Sequence, residues 1–163
     1  MRILITGAFG QLGHSLQSVL SKKSNYDLVC TGRKIKKSQE GIPLDIRNQV
    51  ALKEIIKTTT PDILINLAAM TNVDACELNP KMAGEINVAG LEHICNSFEG
   101  KIIHLSTDYV FDGTSGPYKE DDPLNPISIY GKTKLASEHI LLEKNIKNLV
   151  IRGNVSVSYT HLR

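Results

Sequence analysis

Tyr130-Gly131-Lys132-Thr133-Lys134 places a phenol and an ammonium four residues apart, which on a helix brings both side chains to one face. A phenol near its ordinary pKa of about 10 exchanges protons sluggishly at neutral pH, and an adjacent cation favours the phenolate. Lys134 is therefore expected to depress the Tyr130 pKa and make the pair a usable acid–base couple. Upstream, the apolar run Lys101 to Leu105 ends in Ser106-Thr107-Asp108. This sets hydroxyls at the carboxyl end of a strand, where open α/β sheets bind ligands, so Thr107 is placed to hold a substrate carbonyl. At the other end of the chain, Thr6-Gly7-Ala8-Phe9-Gly10-Gln11-Leu12-Gly13 follows an apolar run and opens a helical pattern. Backbone amides and the positive helix end there suit a pyrophosphate, with Gly7, Phe9, Gly10, Gln11, Leu12 and Gly13 as its expected contacts. Gly7 would permit the tight turn, Gly10 the approach of the phosphates, and Gly13 the close packing of helix on strand. The spacing G-x-x-G-x-x-G differs by one residue from the G-x-G-x-x-G fingerprint, and its place between strand and helix strengthens it.

After the second apolar run comes Gly32-Arg33-Lys34, where an enzyme preferring NAD usually carries an acid for the ribose 2′-hydroxyl. Arg33 and the lysines after it suit the 2′-phosphate of NADP, which is favoured over NAD; a solvated basic loop is the plainer alternative. Asp45, the next acid in a suitable place, would accept a hydrogen bond from the adenine amino group or simply cap the surface.

These groups need a frame. Short apolar runs at Arg2 to Thr6, Asp27 to Thr31, Ile63 to Leu67, Lys101 to Leu105 and Leu149 to Arg152 alternate with amphipathic stretches at Gln11 to Leu20, Asn48 to Lys57, Met82 to Ser97 and Ile129 to Glu143. Parallel strands joined by crossover helices give that pattern, so the fold class is α/β, a Rossmann-type doubly wound parallel sheet. Asp108 to Ser128, rich in Gly and Pro, is the longest irregular stretch, and loops of that length are usually lids or binding loops.

The chain has 163 residues, 41% hydrophobic and 22% charged, enough for one domain with its own core. A net charge of +2 provides no global field for nucleic acid or an anionic membrane. No signal peptide and no run of about 18 apolar residues is present, and three widely spaced cysteines, Cys30, Cys76 and Cys95, fit free thiols. A cytoplasmic protein without a metal site is the expectation.

The glycine segment, the Ser106-Thr107 hydroxyls and the Tyr130–Lys134 pair occur in the order found in the extended short-chain dehydrogenase/reductases. Within them the chain resembles the dTDP-4-dehydrorhamnose reductases. The resemblance runs from Met1 to about Arg152. It includes Asp45-Ile46, Pro61-Asp62, Asn66-Leu67-Ala68-Ala69, Thr71-Asn72-Val73-Asp74-Ala75-Cys76-Glu77, Ile86-Asn87 and Ser106 through Gly113. It implies Thr107, Tyr130 and Lys134 as the catalytic set, Ile46, Ala68 and Ala69 against the cofactor, and Asn87 as support for the active site. It sets Thr71, Val73, Asp74 and Glu77 in a block near the substrate. The implied activity is NADPH-dependent reduction of the 4-keto group of a dTDP-sugar, dTDP-4-dehydrorhamnose to dTDP-rhamnose, with a homodimer in the full-length protein and no assignment for Mg. A non-catalytic NADP-binding regulatory subunit, as serves beside methionine adenosyltransferase, and a nucleotide-sugar epimerase or dehydratase are the alternatives. Ser137 stands where relatives commonly carry Gly. Residues 1–152 are expected to form the dinucleotide-binding domain. Residues 153–163 fit the family poorly, so the chain is expected to be an amino-terminal part that stops before the substrate-binding part and lacks activity by itself.

Among the remaining candidates, His104 inside an apolar strand is expected to be a core histidine with a backbone partner. Tyr109 would line the sugar pocket and Phe111 likewise, or both would anchor the long loop. Asn154-Val155-Ser156 matches a glycosylation sequon by chance.

Overall fold

The computed structural model describes residues 1–23, 25–145 and 147–154. The tail beyond Asn154 lies outside the described residues, as does most of the sequon. Six parallel strands form one sheet: β1 (Arg2–Thr6), β2 (Asp27–Gly32), β3 (Ile42–Pro43), β4 (Ile63–Asn66), β5 (Lys101–Thr107) and β6 (Leu149–Gly153). Their order, β3-β2-β1-β4-β5-β6, reverses direction between β1 and β4, the crevice in which doubly wound sheets bind dinucleotides. The expected fold class is thus the observed one.

Alternation along β1 sorts the core. Leu4 faces one layer with Leu52, Ile55, Leu64, Leu91, Ile94, Ile102 and Leu141, whereas Ile3 and Ile5 face another with Leu16 and Leu20. The first layer is covered by α2 (Gln49–Thr59), α5 (Gly90–Cys95) and α6 (Ile129–Lys144), the second by α1 (Gln11–Leu20). Asn48 caps α2 by accepting from Ala51 N at 3.1 Å.

Three elements differ from the sequence expectation. A short helix, α3 (Val73–Leu78), occupies the block read only as a motif; Asn72 caps it through Ala75 N at 2.7 Å. The helix expected from Met82 starts earlier, at Pro80, because proline suits a first turn. It runs as α4 (Pro80–Gly84), then a π-turn at Glu85–Ala89, then α5. Such an inserted residue commonly marks a functional site. The long irregular stretch begins with a 3-10 turn, Asp108–Val110.

Candidate active site

Gly7 follows β1 with φ +70°, and a Cβ there would stand 2.6 Å from the Ala68 backbone nitrogen; a Cβ on Gly13 would collide with the Ala8 carbonyl oxygen. Both glycines are therefore required by the fold itself. Gly10 is different. A Cβ there meets only Gly7 O, at 3.4 Å, so no protein contact demands glycine. Gly10 is the N-cap of α1 and supplies no side-chain cap, and the first turn holds no acid. The amides of Gln11, Leu12 and Gly13 thus keep their donors for an anion at the switch point. This is a cradle that a side chain would fill, and a pyrophosphate fits it. Phe9, expected as a cofactor contact, has its ring packed where Gly32 and Gly41 leave room, so the side chain holds the glycine turn to β2. Leu12 is exposed beside it.

Arg33 and Lys34 are exposed just past β2. Asp45 is not the free acceptor expected for an adenine. Its carboxylate takes Arg47 Nε at 3.0 Å and Nη2 at 2.7 Å, and the Arg47 backbone N–H at 3.0 Å. That bonding, with Arg47 first and Arg33 more distantly, holds the Asp45 carboxyl below its usual range. Ile46 is buried in the core, and Ala68 and Ala69 are partly buried after β4.

Asn87 sits in the π-turn and is buried. Its side-chain oxygen accepts from Met70 N at 2.7 Å, and its amide nitrogen donates to Met70 O at 3.1 Å and Thr133 Oγ1 at 3.0 Å. The side chain thereby ties the loop after β4 to the second turn of α6.

Tyr130 lies in the first turn of α6, which Ser128 caps through Gly131 N at 3.0 Å. Glu77, expected near substrate, instead accepts from Ile129 N at 2.6 Å and so caps the same helix from α3. Thr71 and Asp74 are exposed and Val73 partly buried beside it. A Cβ on Gly131 would stand 2.2 Å from Tyr109 O, so this glycine lets α6 touch the 3-10 turn. Sequence reasoning passed over it, although its place next to Tyr130 was the signal. Tyr109 is half-exposed with its ring 5.7 Å from that of Tyr130, edge to face, whereas Phe111 stacks on Tyr118 at 4.5 Å and belongs to the loop's own packing.

The Tyr130 pKa is raised, contrary to the expectation. Burial is the main cause, a hydrogen bond with Thr107 opposes it, and Cys76, Asp108 and Tyr109 add to the rise. Lys134 does not offset this because its amine points elsewhere: it lies 1% exposed, 2.6 Å from Leu105 O and 2.9 Å from His104 Nε2. Spacing on a helix fixed the shared face and not the distance. The consequence suits a proton donor, since Tyr130 stays a neutral phenol at neutral pH. Burial lowers the Lys134 pKa to about 8, with Glu138 opposing. His104 has side-chain partners, Asn66, Ser137 and Lys134, where a backbone partner was expected.

One further cluster was invisible in the sequence. Glu138, 1% exposed, accepts from Ser106 Oγ and pairs with Arg152 of β6 at 2.7 Å. Arg152 also donates to Glu120 O at 2.8 Å and lies 5.5 Å from the Phe111 ring centre, which ties the long loop to α6. Among the described residues no group of His, Cys, Asp and Glu is arranged to hold a metal ion, and no helix is long and apolar enough to cross a membrane.

Comparison with known proteins places this arrangement. A dTDP-4-dehydrorhamnose reductase of Aggregatibacter actinomycetemcomitans is 39% identical over 155 residues, 93% of this chain and 50% of that protein. Methionine adenosyltransferase 2 subunit beta of Xenopus tropicalis is 36% identical over 154 residues, 93% of this chain and 46% of that protein. The crystal structure of a dTDP-4-dehydrorhamnose reductase from Bacillus anthracis in complex with NADP matches with a TM-score of 0.83 at 34% identity, covering 94% of this chain and 53% of the other. The chain spans about half the length of the curated relatives it matches. The sequence profile of the RmlD substrate binding domain matches residues 1–161, and with a Rossmann sheet of this order the chain belongs to that family, which it shares with the dTDP-4-dehydrorhamnose reductases.

Proposed function

We propose that this chain forms the cofactor-binding and proton-donating part of an NADP-dependent reductase acting on the 4-keto group of a dTDP-deoxysugar, dTDP-4-dehydrorhamnose being the substrate that its relatives' names suggest. The observation that carries the reading is Tyr130: a phenol in the first turn of α6 kept neutral by burial, with Thr107 at the carboxyl end of β5 close enough to act on it, in a fold whose glycine turn leaves the α1 amides open. NADPH, when bound, supplies the hydride. The amides of Gln11, Leu12 and Gly13 hold its pyrophosphate, Gly10 leaves the space, and Arg33 with Lys34 pairs with the 2′-phosphate. Ala68 and Ala69 border the cleft. Asp45, oriented by Arg47, offers the adenine only the acceptor capacity that Arg47 leaves, and Ile46 packs beneath it.

Tyr130 Oη would donate its proton to the carbonyl oxygen as the carbon is reduced, and the Thr107 hydroxyl would turn its one proton from Asp108 to the same oxygen. Thr107 is held in place by accepting from Tyr109 N at 3.3 Å and donating to Asp108 Oδ1 at 3.1 Å. Lys134, anchored on Leu105 O, would hold the nicotinamide ribose. Thr71, Val73, Asp74 and Tyr109 face the sugar, while Glu77 acts through the α6 cap. The protein is a soluble cytoplasmic enzyme, a homodimer in its full-length form. A second reading, a regulatory subunit without turnover, is favoured by the likeness to methionine adenosyltransferase 2 subunit beta.

The test is NADPH consumption on addition of dTDP-4-dehydrorhamnose, by a full-length protein carrying this chain, with Tyr130 and with Tyr130→Phe. Turnover lost in Tyr130→Phe with NADPH affinity retained supports the reading. Turnover unchanged by Tyr130→Phe overturns the assignment, and NADPH binding without any turnover favours the regulatory subunit.

A further inference from the structure

Beneath α6 the strand β5 presents a polar strip, and its centre is His104, 1% exposed. His104 Nδ1 lies 3.0 Å from Asn66 Nδ2, and its Nε2 lies 3.1 Å from Ser137 Oγ and 2.9 Å from Lys134 Nζ. The protons in this chain follow from groups whose roles are unambiguous. The Ala68 backbone N–H can only donate, and it reaches Asn66 Oδ1 at 3.2 Å, where the Thr6 hydroxyl also donates at 2.6 Å. That atom is therefore the amide oxygen, and the atom facing His104 is the NH2. An NH2 opposite Nδ1 makes Nδ1 the acceptor, so a neutral ring carries its proton on Nε2. Ser137 is free to accept that proton, because its own hydroxyl donates to Lys134 O at 2.6 Å. Burial and the charge of Lys134 both hold the ring neutral. Nε2 then has no lone pair for the lysine amine beside it.

We propose that His104 is a positioning residue for Lys134: the Thr6–Asn66–His104 relay fixes the ring as its Nε2–H tautomer, denies the amine an acceptor in the core, and leaves it anchored on the Leu105 carbonyl alone, from which it would turn to a dinucleotide bound in the cleft. This rests on the proposed reading only where the cleft is assigned to a dinucleotide. The groups that face Lys134 are consistent with it. Glu138, one turn further along α6, is the acid, and Arg152 of β6 neutralises it in part. Tyr130 precedes it on α6, His104 is the titratable contact from β5, and Asn66 on β4 and Thr6 on β1 are uncharged. Burial is what lowers the Lys134 pKa to about 8, with Glu138 opposing it.

Long-range proton–nitrogen NMR of the unliganded 163-residue chain reads the ring tautomer without any dinucleotide, so its failure is distinct from a failure to bind NADPH. The expected spectrum shows a neutral His104 with the proton on Nε2 throughout the neutral range. Asn66→Asp puts an acceptor opposite Nδ1, so the ring proton should move there and Nε2 should accept from Lys134. The Lys134 titration, followed through its side-chain carbon and nitrogen signals, should then rise by on the order of one pH unit. The same rise measured between His104→Leu and Asn66→Asp/His104→Leu should be largely lost. An Nδ1–H or charged ring in the unaltered chain overturns the proposal, whether or not the variants fold. A rise that persists without the ring shows the new carboxylate acting through space, and also overturns it.

Discussion

Replacing Arg152 with Met keeps the aliphatic length beside Phe111 and removes the guanidinium from Glu138. Glu138 is 1% exposed and Arg152 22%, so the carboxylate of the pair is buried and the small energies typical of exposed ion pairs do not apply. Arg152→Met leaves a buried carboxylate with Ser106 as its remaining partner, and orphaning one member of a buried pair costs about 3–5 kcal/mol. Loss of the cation over Phe111 adds about 0.5–1 kcal/mol. For a chain of this length each kcal/mol moves the melting temperature by about 2–4 °C, so the combined loss of about 3.5–6 kcal/mol should give a drop of roughly 7–24 °C in a circular-dichroism melt. Glu138→Gln in the same background removes the stranded charge and leaves a neutral amide for Ser106, so the double variant should recover more than half of the loss. An Arg152→Met chain within about 1 kcal/mol of the parent, or a double variant no more stable than the single, would refute the reasoning.

Lys134→Met should stabilise the chain below pH 8 while weakening NADPH binding. The lysine's native pKa of about 8 against 10.5 unfolded corresponds to about 3 kcal/mol disfavouring the buried ammonium. That cost is present in full below pH about 8. It is relieved as pH rises toward 10.5, because the unfolded state there binds the extra proton, so urea titrations of parent and variant should converge across this window. Arg33→Ala should lower the affinity for NADPH by about 1.5–3 kcal/mol with little effect on NADH, as read by cofactor fluorescence; equal losses for both would remove Arg33 from the 2′-phosphate.

Much of this frame was legible because five of the strands are apolar runs whose flanking glycines and helices announce a parallel sheet. β3 was not, since two residues paired at the edge leave no pattern. The π-turn at Glu85–Ala89 was hidden because one inserted residue preserves the surrounding amphipathic run, although it aims Asn87 at Met70 and Thr133. Tyr130, Thr107 and the glycines were readable from type and place. The direction of Lys134 was not, since it depends on His104 and Leu105, thirty and twenty-nine residues away. Glu77 was placed near the substrate from its block and Asp45 was read as an adenine acceptor or a surface cap, while their carboxylates accept from Ile129 N and Arg47. A motif shows that a carboxylate is needed, and only the fold shows which donor it serves.

The most direct measurement of the central claim is a fluorescence titration of the chain with NADPH, set beside the same titration of Gly10→Ala. The new methyl meets only Gly7 O at 3.4 Å, so the variant should fold and melt like the parent. It should nevertheless lose most of its NADPH affinity, because that methyl occupies the approach of the pyrophosphate to α1. NADPH bound equally well by both chains, or by neither, would contradict the assignment of this turn as the cofactor cradle.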